Sequence, residues 1–223
     1  MSKILVTGSS NGLGKALVDA LRLQGHEVVE YDIQRGLDVL NPTLEGIDEL
    51  DILINNAGVN GIDFIEDMDE ELWDKVVNTN AKGIFKMSQA CLPMLIKSKG
   101  TILNIVSNAA HMPMTSSLAY NASKGAALIM TKQMARELTK RHGITVFSVS
   151  PTKLKGTEMS HQIDAEVVRT RGWTVEEAQK YQLQGLLAGE ETDPEHVAEF
   201  VAYLLSSKQR HKYLTGCDLQ YGL

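Results

Sequence analysis

Tyr120-Asn-Ala-Ser-Lys124 places a phenol and an ammonium four residues apart. On a helix that spacing puts both side chains on one face, a turn from each other. A free phenol titrates near pH ~10, so acid/base work near neutrality needs a shift of about 3 units, or ~4 kcal/mol. One cation at ~4 Å supplies ~4 kcal/mol at an effective dielectric of ~20, so a single lysine is a perturbation of the right size. A tyrosine–lysine pair alone is common on surface helices. It gains weight from Ser107, which ends the apolar run Leu103-Asn-Ile-Val-Ser107. A hydroxyl there would donate to a substrate oxygen while the tyrosine delivers or removes the proton.

A second constellation lies at the start of the chain. Thr7-Gly8-Ser9-Ser10-Asn11-Gly12-Leu13-Gly14 joins a short apolar run to a helical pattern. Glycines let a backbone approach a pyrophosphate, and the following helix N-terminus offers free N–H groups and partial positive charge. A tight turn with no ligand is the competing reading. A P-loop is excluded, because Ala16 stands where a hydroxyl must meet magnesium. Asp32 closes the next apolar run at the distance from which an acid reaches an adenosine ribose. Its carboxylate would accept the ribose hydroxyls and repel a 2′-phosphate, and Asn11 adds no positive charge. Both choices favour NAD over NADP. Arg35 is the dissenting residue, since it could swing toward a phosphate.

The elements that must position these residues alternate. Strands are expected at Lys3–Thr7, Val28–Tyr31, Asp51–Ile54, Thr101–Val106, Ile144–Val149 and Asp218–Gln220. Helical spacing covers Gly12–Gln24, a stretch from a capping-box-like Asp67-Met-Asp-Glu70 through about Asn80, and its resumption to Ile96. It returns at Asn121–Arg141 and at Val197–Leu205, which Thr192-Asp-Pro-Glu195 introduces with a cap, a first-turn proline and a capping-box glutamate. Apolar rather than alternating strands predict a parallel sheet with helices on both faces. Ligands bind such sheets beyond the carboxyl ends of the strands, where each of these motifs falls.

In family order the sequence carries Thr7-Gly8-x-x-x-Gly12-x-Gly14, Asn55-Asn56-Ala57-Gly58, Asn80, Ser107 and Tyr120-x-x-x-Lys124. Over nearly its whole length the chain resembles the short-chain dehydrogenase/reductase family. The resemblance implies one Rossmann-type domain over residues 1–223, with a doubly wound parallel sheet and a substrate lid at about 152–190. It also implies hydride transfer between a nicotinamide and an alcohol or carbonyl. Carried over by position, Tyr120 is the general acid/base, and Lys124 lowers its pKa and holds the nicotinamide ribose. Ser107 orients the substrate oxygen, and Asn80 anchors a water linking the lysine to solvent. Gly8, Ser10, Asn11, Gly12 and Leu13 form the pyrophosphate loop. Asn56, Ala57 and Gly58 lie under the adenosine, Asp38 and Val39 meet the adenine, and Pro151 flanks the nicotinamide.

The sequence departs from the family pattern in three places. Pro151-Thr152 replaces the usual Pro-Gly. Gly156 stands where a cofactor-contacting threonine is expected, and Thr157 follows. Only Ile33–Leu37 separates Asp32 from Asp38, too short for the usual helix, so the sheet face there is expected to be thinly covered.

Composition narrows the remaining classes. The 223 residues are 43% hydrophobic and 22% charged, which excludes a disordered or fibrous chain. The 22 basic and 28 acidic residues give a net charge of −6, and no basic cluster suggests nucleic acid as a partner. No apolar run approaches a membrane span, and Met-Ser-Lys does not open a signal peptide, so a cytoplasmic protein is expected. Cys91 and Cys217 form no CxxC pair and the histidines do not cluster, so no metal site is expected. His111 reads as a loop histidine that could line a substrate pocket. The expected ligand is a small alcohol or ketone, and the resemblance implies a homodimer or homotetramer. The competing functions are an NADP-dependent carbonyl reductase and a non-catalytic dinucleotide sensor.

Overall fold

Strand β1 (Lys3–Thr7) sends Ile4 and Val6 to one face and Leu5 to the other, as the two-residue repeat of a strand requires. In the computed structural model, which describes residues 1–222 without the side chain of Arg210, this alternation sorts the helices into two layers. Ile4 and Val6 pack with Leu13, Leu17 and Leu21 of α1 (Gly12–Leu23) and with Val197 and Val201 of α7 (Pro194–Leu205). Leu5 packs with Met87, Cys91 and Leu95 of α3 (Gly83–Ser98) and with Ala135 and Leu138 of α4 (Leu118–His142). The sheet runs in the order β2-β1-β3-β4-β5-β6, all parallel, with β2 at Glu27–Tyr31, β3 at Ile52–Asn55 and β4 at Thr101–Ile105. Strands β5 (Thr145–Pro151) and β6 (Asp218–Tyr221) complete it. The fold is thus the expected doubly wound α/β sheet. The winding of the sheet reverses between β1 and β3, since β2 lies on one side of β1 and β3 on the other, which opens a crevice at the carboxyl ends of the strands.

The unit after β2 is shortened as anticipated. Asp32 caps a single 3-10 turn, Ile33–Arg35, and no helix follows before β3. The sheet face is nevertheless covered. Leu37, Val39, Leu44 and Ile47 from the connecting segment pack against the Leu5, Tyr31 and Leu53 cluster. The Tyr31 hydroxyl donates to the Asp38 carbonyl and accepts from the Thr43 amide, which fastens the segment down.

Several boundaries differ from expectation for local reasons. Helix α2 (Glu70–Val77) is capped by Asp69, whose carboxylate accepts the Leu72 amide at 2.6 Å, so the start lies two residues beyond Asp67. Helix α4 begins at Leu118, three residues early, so Tyr120 lies within its first turn. Asp193, not Thr192, caps α7, and Glu195 donates its own backbone amide to that cap, so no capping box forms. Between α2 and α3 the chain makes a π-helical turn, Asn78–Lys82, which apolar spacing does not reveal. The segment 152–190 holds two helices, α5 (Glu158–Arg171) and α6 (Val175–Gln184), the second opened by a Thr174–Glu177 capping box. Among the described residues, no helix is long and apolar enough to cross a membrane.

Candidate active site

The crevice is built by two loops pressed together. Gly8 and Gly12 adopt positive φ, 64° and 49°, which L side chains rarely tolerate. A Cβ on Gly8 would meet the Ala57 backbone at 2.8 Å, and one on Gly14 would meet the Gly8 carbonyl oxygen at 1.9 Å. Glycine is required at both by close approach. Thr7 joins the loops: its Oγ1 accepts the Asn56 and Ala57 amides at 2.9 and 3.0 Å. The Asn56 side chain donates back to the carbonyls of Thr7 and Gly8, both at 3.0 Å. Asn56 therefore serves as a brace for the glycine loop.

The head of α1 is left open for an anion. Asn11 stands at the cap position without a side-chain cap bond, and the first turn carries no acid. Leu13 is buried in the core, so it offers only its backbone to the crevice. The Ser9 hydroxyl is buried and has no hydrogen-bond partner. Those unspent donors, in a cradle that side chains would fill, fit a dinucleotide pyrophosphate. Thr157, the cap of α5, lies against Gly12, where an added Cβ would be 3.4 Å from its Cγ2. The sequence alone assigns Thr157 no role. Its cap pattern, Thr157-Glu-Met-Ser160, was the available signal.

Asp32 is buried and reaches the glycine loop. One carboxylate oxygen accepts the Ser10 amide at 3.0 Å and the other the Gln34 amide at 2.9 Å. Arg35 turns away to Glu30, at 2.5 Å, and Glu30 also holds Arg22 at 2.8 Å. Asp38 spends its carboxylate on its own turn, accepting from the Leu40 amide and the Asn41 side chain. Val39 packs inward, so that a Cβ on Gly83 would lie 2.9 Å from its Cγ2.

At the other end of the crevice the structure brings Ser107, Tyr120 and Lys124 together. Ser107 caps the 3-10 turn Asn108–Ala110, its Oγ accepting the Ala109 amide at 3.1 Å, and it hydrogen-bonds the Tyr120 phenol. The Lys124 Nζ donates to the Ile105 carbonyl at 3.1 Å and lies 5.7 Å from the Tyr120 ring centre. Burial pushes the phenol above its ordinary value, and the Ser107 bond works against that rise. Burial also pushes the Lys124 ammonium down to about 8. The lysine expected to lower the phenol does not do so here, because its ammonium is turned to the Ile105 carbonyl. Gly58 brings bare backbone to the lysine, an added Cβ there lying 3.7 Å from Nζ.

Asn80 is fully buried in the π-helical turn. Its Oδ1 accepts the Val59 amide at 2.8 Å, and its Nδ2 donates to the Val59 carbonyl at 2.9 Å and to Ser123 Oγ at 3.0 Å. Ser123 in turn donates to the Tyr120 carbonyl at 2.8 Å, so Asn80 steadies the first turn of α4. Pro151 ends β5, buried. Thr152, in place of a glycine, is tied to Thr192 at 2.8 Å and to the Gly222 carbonyl at 3.0 Å. Helix α5 is fastened to the Ile62–Asp63 stretch by Arg169, which donates to Asp63 and the Ile62 carbonyl, both at 3.1 Å. Lys153 pairs with Asp164 and Glu191 beneath it.

Comparison with known proteins agrees with this geometry. The short chain dehydrogenase family pattern matches residues 34–167, more than half of the chain. The chain is 32% identical to a sorbitol-6-phosphate 2-dehydrogenase of Klebsiella pneumoniae, over 96% of this chain and 91% of that protein. A short chain dehydrogenase family protein of Francisella tularensis superposes with a TM-score of 0.86 at 28% identity, covering 99% of this chain and 96% of the other. An actinorhodin polyketide ketoreductase variant crystallised with NADPH superposes with a TM-score of 0.83 at 26% identity, over 98% and 95% of the two chains. With its glycine cradle, braced loops and serine–tyrosine–lysine cluster on a parallel sheet, the chain belongs to the short-chain dehydrogenase/reductase family of oxidoreductases.

Proposed function

We propose that the chain is an NAD(H)-dependent oxidoreductase of a small alcohol or carbonyl compound, working with Tyr120 as general acid/base. The observation that carries the reaction is the meeting of Ser107, Tyr120 and Lys124. A bound nicotinamide dinucleotide supplies the hydride acceptor or donor. The amides of the α1 head, at Gly12 and Leu13, would hold its pyrophosphate, together with Gly8, Ser10 and Asn11. Asp32 would take the adenosine ribose, with Asp38, Val39 and the Asn56–Gly58 backbone around the adenosine. Lys124 and Tyr120 would face the nicotinamide ribose, with Pro151 beside the ring.

The residues then divide the work. Ser107 donates to the substrate oxygen, and Tyr120 passes or removes the proton on that oxygen. Lys124 would hold the nicotinamide ribose of a bound dinucleotide, and its charge beside Tyr120 would make the phenolate cheaper. The contact with a water implied for Asn80 falls to the backbone of its π-helical turn, because its side chain is spent on Val59 and Ser123.

NAD is favoured by the buried Asp32 carboxylate beside Ser10 and by the commitment of Arg35 to Glu30. One observation favours NADP as a second reading. Lys15, Arg22 and Arg35 line a cavity of about 460 Å³ beside the loop with Ser9 and Ser10, and a 2′-phosphate there would compete for them with Asp19 and Glu30, which line it too. The NADPH of the ketoreductase neighbour points the same way. The reading also includes a single domain with a lid and self-association as a dimer or tetramer, which the family resemblance supports, and the cytoplasmic location expected from the sequence.

Titration with both dinucleotides, followed by a panel of alcohols and ketones read by nicotinamide absorbance, tests these points. Tighter binding of NADP would overturn the cofactor choice. Tyr120→Phe should lose turnover by more than about 10²-fold while still binding NAD. Near wild-type turnover in that variant would exclude the mechanism.

A further inference from the structure

His111 had no evident task in the sequence, yet its imidazole is fixed. Its Nε2 lies 2.8 Å from an oxygen of Asp218, on the last strand of the sheet and 107 positions away in the chain. The Asp218 side chain is only 7% exposed. Ser148 Oγ donates to it at 2.5 Å, and Ser150 Oγ donates to both of its oxygens at 2.9 Å. Both serines are fully buried on β5, two residues apart and hence on the same face, and Ser148 stands opposite Asp218 in the ladder. The carboxylate is thus anchored in the sheet, with one remaining bond directed outward to His111.

That outward bond reaches the turn that carries Ser107. Ser107 and His111 flank the single 3-10 turn Asn108–Ala110, one as its N-cap and the other as its C-cap. The turn is closed by the Ala110 amide on the Ser107 carbonyl and the His111 amide on the Asn108 carbonyl, bonds between its own residues, so its orientation depends on what holds its two ends. The Tyr120 side is held by Asn121, whose Nδ2 donates to the Ala109 and Met112 carbonyls at 2.6 and 2.8 Å. The opposite side is held by His111 on Asp218. We infer that His111 and Asp218 are positioning residues, a tether from β6 that aims the Ser107 hydroxyl at the Tyr120 phenol. The inference rests on the reading of Ser107 and Tyr120 as the reacting pair. The tether needs a proton on Nε2, which both the neutral Nε2–H tautomer and the imidazolium carry.

The tether can be tested without a known substrate, because the Ser107 bond favours the ionised phenol. Tyrosinate absorbance after a pH jump, read by stopped flow before alkaline unfolding, reports the Tyr120 ionisation once the Tyr120→Phe signal is subtracted. Ser107→Ala should shift that ionisation upward. His111→Ala should shift it upward by a comparable amount, and His111→Gln, which keeps a donor at similar reach, should return most of the shift. Ser107→Ala combined with His111→Ala should shift it no further than Ser107→Ala alone, since both changes remove the same bond. NAD affinity should stay within about twofold in the two His111 variants, since the glycine loop is untouched.

The inference is overturned if His111→Ala titrates as the wild type while Ser107→Ala does not. It is overturned equally if His111→Gln is as shifted as His111→Ala, or if the two alanine changes add. A Ser107→Ala protein with an unshifted phenol would instead remove the serine–tyrosine pair itself, and the tether with it.

Discussion

A phenol shielded from water holds its proton more firmly, and an ammonium in the same place holds its proton less firmly. Tyr120 and Lys124 show both effects at once, the lysine falling to about 8. Burial thus works against a phenolate at Tyr120 and against an ammonium at Lys124. The cost is measurable on the lysine. Its ordinary value is 10.5, and a fall to about 8 corresponds to about 3 kcal/mol of folding free energy lost at neutral pH. Lys124→Met removes that buried charge at similar volume and forfeits one hydrogen bond to the Ile105 carbonyl, worth about 1 kcal/mol. The variant should be about 2 kcal/mol more stable than the wild type in urea at pH 7, and inactive. Equal or lower stability would mean that water reaches the ammonium in the folded protein.

Among the elements, the loops after β1 and β3 act as one piece because a single hydroxyl joins them. Thr7→Val keeps shape but strands the Asn56 and Ala57 amides, which now share Thr7 Oγ1. Each buried amide left unpaired costs about 1–3 kcal/mol, so the variant should lose at least ~2 kcal/mol and bind NAD at least about tenfold more weakly. Thr7→Ser should restore both, and a fully stable Thr7→Val with native affinity would show the brace to be idle. This joint also marks what the sequence could and could not disclose. The glycine turn, the strands and the Tyr120–Lys124 spacing were legible because each is written in consecutive or helically spaced residues. The joint of Thr7 with Asn56, the clasp of Asn80 on Val59 and the bond of His111 to Asp218 connect residues 49, 21 and 107 positions apart. No local pattern encodes such pairs. Helix α5 escaped for a different reason: it buries only Ser160 and Val167, which leaves almost no apolar stripe to recognise.

For the whole molecule, these perturbed groups dictate how stability follows pH, and the sign of each can be worked out. Stability rises with pH wherever the unfolded chain binds more protons than the folded one. Burial lowers His211 and His26 below the ordinary 6.5, so below that pH the unfolded chain takes up protons that the folded one refuses, and acid destabilises. His211 matters structurally, since its Nε2 lies 2.9 Å from Thr101 Oγ1 and its ring stacks on Phe147, docking the segment before β6. Between about 8 and 10.5 the folded chain has lost the Lys124 proton while the unfolded chain keeps it, so stability rises again by up to about 1.4 kcal/mol per unit. Cys91 opposes this from 9 upward, because burial pushes its thiol to about 12 and the unfolded chain ionises first. Tyr120 joins it above 10, being raised in the folded state. The urea midpoint should therefore climb to pH ~6.5, level off, climb from about 8 to 9 and turn over between about 9 and 10. Lys124→Met should abolish the second climb and leave the alkaline fall, while Cys91→Ala should move the turnover upward toward 10. A wild-type curve parallel to that of Lys124→Met through this window would remove the buried ammonium from the account. A Cys91→Ala curve that turns over at the wild-type pH would remove the buried thiol.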